Sequence, residues 1–187
     1  DKSENDGFVI SGIKWELPTG DHRSQAWLLK TDSNGDTLWT RQYGNENSDQ
    51  GLCVLEDNEN GILMAGFTTN QTSDYDLLLV KTHPDGSFEW QTEYHLGETI
   101  WPNSMVRVSD DSYAVVGNVS SAEGTSIFIV NFSPSGVVGE SWLIGGDQSD
   151  WGSDIITVDS GGLIIAGGTT SLGDSNGDAL IMKITSD

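Results

Sequence analysis

The chain has 187 residues, 23 of them glycine, and sets 8 Lys+Arg against 29 Asp+Glu for a formal net charge of −21. That charge argues against nucleic acid and anionic membrane surfaces as partners, because both demand a basic face, and no apolar run approaches the ~18 residues of a membrane-spanning helix. Cys53 is the sole cysteine, so no intrachain disulfide forms, and its place in an apolar run marks it as a small core residue.

In chain order, residues 1–6 are polar, and a start at Asp1 without Met or a leader reads as a processed or trimmed product. Asp6-Gly7 turns into a strand, Phe8 to Gly12. A long polar loop, 13–24, carries Trp15, Pro18, His22 and Arg23. A strand from Gln25 to Thr31 then passes through Asp32-Ser33-Asn34-Gly35, a strong hairpin signal, into a strand around Trp39.

The next stretch, 49–97, is the complete unit. Strand a runs from Leu52 to Glu56, strand b from Ile62 to Phe67, strand c from Tyr75 to Thr82 and strand d from Ser87 to Tyr94. His83-Pro84-Asp85-Gly86 turns c into d, the proline presetting φ and the glycine supplying φ > 0. The third copy places strands at Ser104–Val108, Tyr113–Val119, Ser126–Phe132 and Val137–Ile144. The fourth places them at Ile155–Val158, Leu163–Gly167 and Ala179–Ile184. All these runs are short, rich in β-branched and aromatic residues, and lack a helical period.

Two markers hold the register. The glycine closing strand b falls at Gly12, Gly66, Gly117 and Gly167, at spacings of 54, 51 and 50. The polar residue near the end of strand c falls at Lys30, Lys81, Asn131 and Lys183, at spacings of 51, 50 and 52. Trp39 and Trp90 follow the turn glycines Gly35 and Gly86 by four residues. In the third copy Glu140 holds that place and Trp142 lies two further on, one strand period, hence on the same side. A four-stranded period near 50 predicts an all-β β-propeller. Its units are approximately 1–48, 49–99, 100–149 and 150–187 of one domain.

The first unit lacks strand a and the last lacks strand d, giving 14 strands. Either the end blades of a four-bladed ring are three-stranded, or the ring is larger and is completed by a second copy or by more of a longer chain. Open sheet edges invite such pairing.

Gly162-Leu163-Ile164-Ile165-Ala166-Gly167, Asp76-Leu77-Leu78-Leu79-Val80-Lys81 and Gly35-Asp36-Thr37-Leu38-Trp39 resemble the repeats of secreted bacterial and archaeal β-propellers. Those are distantly similar to tryptophan-docking propellers of the quinoprotein type. The resemblance implies a secreted or cell-surface protein. It implies no activity, since such propellers host binding, scaffold and surface roles. No quinone-binding residues match, so no such cofactor is expected.

In a propeller the d–a and b–c loops share one face, and here they are rich in acids and amides. Just ahead of strand a stand Asp49, then Trp101, then Asp150-Trp151. Trp beside Asp in a concave polar site suits stacking on a sugar or capture of a cation, and a glycan or a protein is the expected partner. The same residues also suit stapling of neighbouring blades. Asp174-Ser175-Asn176-Gly177-Asp178 shares the pattern D-S-N-G-D with residues 32–36. Asp174, Asn176 and Asp178 are the candidate Ca²⁺ ligands, although no glutamate closes a twelve-residue loop. No histidine lies in a nucleophile motif. The expected function is a non-enzymatic binding or scaffold module; the alternative is a carbohydrate-active enzyme, glycosidase or lyase, that uses Asp49 and Asp150 at a channel mouth.

Overall fold

A computed structural model describes residues 7–15, 23–72, 74–97, 99–122, 124–158, 162–173 and 176–185. Among them are 14 strands and no helix: β1 (Val9–Trp15), β2 (Ser24–Thr31), β3 (Thr37–Tyr43), β4 (Asp49–Glu56), β5 (Ile62–Thr69), β6 (Tyr75–Thr82), β7 (Phe88–Tyr94), β8 (Thr99–Ser109), β9 (Ser112–Ser121), β10 (Gly124–Phe132), β11 (Val138–Ile144), β12 (Asp150–Thr157), β13 (Leu163–Thr169) and β14 (Asp178–Ile184). They form four antiparallel sheets in sequence order: β1–β3, β4–β7, β8–β11 and β12–β14. The end sheets have three strands and the middle two have four, as the repeat predicts. The chain falls into two compact units, residues 1–95 and 96–187, each with two sheets.

The recurring glycine has a steric cause. In the last three sheets the first strand bulges opposite it, between Gly51 and Cys53, Pro102 and Ser104, and Gly152 and Asp154. The bulge drives a carbonyl into the space a side chain would fill. A Cβ on Gly66, Gly117 or Gly167 would sit 1.8, 2.1 or 1.9 Å from the carbonyl oxygen of Gln50, Trp101 or Trp151. Only glycine fits opposite such a bulge. Gly12 lies in a sheet with no such strand among the described residues, and of those a Cβ there would meet only the Trp27 ring, at 3.6 Å. Cys53, beside the second sheet's bulge, is half-buried, and burial pushes its thiol up to about 12.

Cross-strand partners share a face, so each sheet has a forward face, carrying Lys30, Lys81, Asn131 or Lys183, and a rear face. In the first unit, forward residues Val9, Ala26, Leu28 and Tyr43 of the first sheet pack on rear residues Ile62, Met64, Leu78 and Val80 of the second. In the other unit, forward residues Ala114, Val116, Ile127 and Ile129 of the third sheet pack on Ile155, Leu163 and Ile165, rear residues of the fourth. Each such Leu, Ile or Val contributes about 1.5–3 kcal/mol relative to an exposed position.

Polar contacts fix the first pair of sheets in place. The Trp39 indole donates to the Pro84 carbonyl at 3.2 Å, the Tyr43 hydroxyl to the Gly86 carbonyl at 2.7 Å, and Lys30 Nζ meets Glu56 Oε1 at 3.1 Å in a buried ion pair. Trp142 pairs with Ile129, which puts it on its sheet's forward face, as Trp39 is through Lys30 and Trp90 through Lys81.

Candidate functional site

Asp49 opens β4 and Asp150 opens β12, one repeat position in two units. Each carboxylate turns back onto the loop before it. Asp49 Oδ2 accepts the Asn45 amide at 3.0 Å, and Asp150 Oδ2 accepts the Gly146 amide at 2.8 Å. Both aspartates are buried. An acceptor four residues downstream of a loop amide satisfies a backbone donor that the ladder leaves over.

The two carboxyl groups are shifted in opposite directions from the ordinary aspartate value. Burial pushes Asp150 up, but donation from the Thr169 hydroxyl to Oδ1, from the Ser171 hydroxyl to Oδ2 at 2.7 Å and from the Gly146 amide outweighs it, and the group lies below its ordinary value. At Asp49 burial wins over the Thr68 hydroxyl and the Asn45 amide, the Glu93 charge adds to it, and the group lies above its ordinary value. Asp49 Oδ1 is buried without a hydrogen bond. The corresponding corner of the third sheet is apolar: Ile100, fully buried, pairs with Val119 where the others pair Asp with Thr.

The tryptophans reach solvent. Trp101, on β8 and paired with Asn118, is 38% exposed, and Trp151, on β12 and paired with Gly168, is 37% exposed. Both stand on forward faces. The Trp151 ring lies so close over Gly168 that a Cβ there would be 2.3 Å from it. Around Trp101, Asn118 Oδ1 accepts the Gly152 amide at 3.0 Å and Asn103 Nδ2 donates to the Gly152 carbonyl at 2.7 Å, which ties β12 to the third sheet.

Next to Asp150 a groove of about 450 Å³ opens between the last strands of the third and fourth sheets. Ile127, Ile144, Leu180 and Met182 form its apolar lining, and Asp150 and Ser171 its polar end. The Thr-Thr two residues after Gly66 and Gly167 (Thr68-Thr69, Thr169-Thr170) was the readable trace of these corners. Ser171 and the groove left no trace in the spacing.

Of the candidate Ca²⁺ ligands, Asp174 lies outside the described residues. Asp178 crowds Gly173, where a Cβ would be 1.9 Å from its Oδ2, and Gly173 holds a positive φ of 81°. Among the described residues no group of three or more His, Cys, Asp or Glu side chains is placed to hold a metal. The related Asp32-Ser33-Asn34-Gly35-Asp36 is a turn closed on itself, with Asp32 Oδ1 accepting the Asn34 and Asp36 amides, each at 2.9 Å.

Other turns and loops are closed on themselves in the same way, on both ends of the strands. Asp57 Oδ1 accepts the Glu59 and Gly61 amides, and Asn70 Oδ1 those of Thr72 and Asp74. His95 Nδ1 lies 2.7 Å from Asp76 Oδ1. His22 lies outside the described residues.

No protein-family model and no curated protein matches the chain. Solved structures do. A protein of unknown function from Bacteroides caccae superposes with a TM-score of 0.50 at 12% identity, over 87% of this chain and 56% of that one. A GH43 β-1,3-galactosidase superposes with a TM-score of 0.55 at 12% identity, over 95% of this chain and 40% of that one. The chain thus spans only 56% and 40% of the length of these two. At such identity the likeness is one of fold, an all-β chain built from antiparallel sheets.

Proposed function

We propose that the four sheets are consecutive blades of a β-propeller in a secreted or cell-surface protein, and that the chain is a non-enzymatic binding module that holds a carbohydrate against Trp101 and Trp151. One observation carries this reading. Of the residues at the start of strand a, the tryptophans are open to solvent while the aspartates turn inward onto their own loops. Indole faces stack on the apolar side of a pyranose ring, and neighbouring amides suit its hydroxyls.

The named activity of the galactosidase favours a sugar as the ligand and motivates the second reading, a glycosidase. Glycosidases need a carboxylic acid and a second carboxylate facing the scissile bond. Asp49 and Asp150 instead serve backbone amides.

A glycan array that includes β-1,3-linked galacto-oligosaccharides, followed by titration of each hit and an assay for released reducing ends, tests the choice. The expected result is binding without hydrolysis, weakened at least about tenfold, or 1.4 kcal/mol, by Trp101→Ala or Trp151→Ala. Hydrolysis that disappears in Asp49→Asn or Asp150→Asn would establish the enzyme instead. Binding indifferent to both tryptophans would refute the site.

A further inference from the structure

Two sheet faces that ought to be core are bare. On the fourth sheet's forward face, Ile181 is 78% exposed, Ile156 is more than half exposed, and Ala166 and Ala179 are exposed beside a half-buried Ile164. On the first sheet's rear face, Phe8 and Ile10 are exposed and Trp27 and Leu29 half-buried. The second and third sheets show no such asymmetry. Leu63, Leu79, Ile62 and Val80 on both faces of the one are buried, as are Val116, Ile129, Val115 and Val130 on both faces of the other.

The repeat says what belongs on these faces. Phe8, Ile10, Trp27 and Leu29 occupy the places of Ile62, Met64, Leu78 and Val80, the rear residues that the first sheet covers in its own unit. Ile156, Ile164, Ala166, Ala179 and Ile181 occupy the places of Val106, Ala114, Val116, Ile127 and Ile129, which cover the fourth sheet's rear residues. The protein therefore makes a forward-on-rear contact in each unit and leaves one forward and one rear face of the same composition uncovered. An exposed apolar face of this kind marks an interaction surface.

We propose that these two faces are the halves of a head-to-tail contact between copies of this chain, the fourth sheet of one copy seating on the first sheet of the next. The contact is heterologous, so it propagates to a closed ring or to a chain of copies. The formal charge of −21 opposes it, and salt relieves that opposition. The tryptophan site is independent of it. Trp101 stays 38% exposed on a forward face that is already covered, and Trp151 stands at the same position of its own sheet.

Light scattering and sedimentation of the wild-type chain across concentration and salt test the proposal. Assemblies of two or more chains, strengthened by salt, are expected. Ile181→Asp and Ile10→Asp each remove one half and should each be monomeric. Mixed, they should form a one-to-one pair, because each keeps the half the other lacks. Ile156→Asp provides a second disruption of the forward face should Ile181→Asp misfold, with a retained β-sheet circular dichroism spectrum as the control. A wild-type chain that is monomeric under all conditions overturns the proposal. So does a mixture of folded variants that fails to pair.

Discussion

Asp49 and Asp150 occupy one position of a repeated design, hold one kind of loop and accept one kind of amide, yet their carboxyl groups shift in opposite directions. The difference lies in the donors. Asp150 gathers two hydroxyls and an amide; Asp49 has one amide, the Thr68 hydroxyl, an oxygen without a hydrogen bond and the Glu93 charge nearby. Burial works against the ionised form at both corners, and the number of donors decides the sign. Ile100 with Val119 is the third solution, in which both polar partners are absent and nothing is left to satisfy.

The largest expected effect is at the well-served corner. Asp150→Ala strips acceptors from Thr169, Ser171 and Gly146 and should cost about 2–4 kcal/mol in urea denaturation at neutral pH. Because the folded-state pKa of Asp150 is depressed, its contribution is present above the ordinary carboxylate value and fades as pH falls through the depressed one. The gap between wild type and Asp150→Ala should therefore narrow in acid, and a gap independent of pH would contradict the donor count.

A smaller effect sharpens the comparison with the apolar corner. Asp150→Ile combined with Thr169→Val copies Ile100 and Val119. Together the two substitutions should cost about 1 kcal/mol less than the sum of the two single losses, measured as the coupling in a double-mutant cycle. Additive losses would show that the hydroxyl of Thr169 matters for more than Asp150.

The smallest effect has the opposite sign. The folded-state pKa of Asp49 is raised, so its contribution is present below the ordinary value and is lost as pH rises through the raised one. At neutral pH its charge is a cost. Asp49→Asn should stabilise the chain by about 0.5–1 kcal/mol there and have no such advantage in acid. A loss at neutral pH would mean that Oδ1 has a partner after all.

The sheets were legible because the strand b glycine is a steric necessity and so recurs at a fixed place. The three-strand count of the first and last sheets followed from the places of Gly12 and Lys183 in the repeat. Trp142 was legible through strand parity alone.

The corners were not. An aspartate ahead of strand a looks the same in sequence whether it faces a ligand or its own loop, and the contacts that decide, from Thr169 and Ser171, come from about 20 residues away. The D-S-N-G-D pattern is ambiguous in the same way, because a turn that feeds its own amides and a loop that feeds a cation both call for acids and amides at alternate positions. The bare faces left no mark either. Ile181 and Ile129 are the same residue at the same repeat position, and only neighbours in space distinguish them.

Gly12 keeps the small residue of the repeat but not the carbonyl that demands it. A cysteine there would add only an ordinary contact with the Trp27 ring, on the rear face of the first sheet. Burial raises the native Cys53 thiol well above its ordinary value, which slows its labelling at neutral pH relative to an ordinary exposed cysteine. Position 12 is thus a vacant socket for a single fluorophore, which would report whether anything settles on that face.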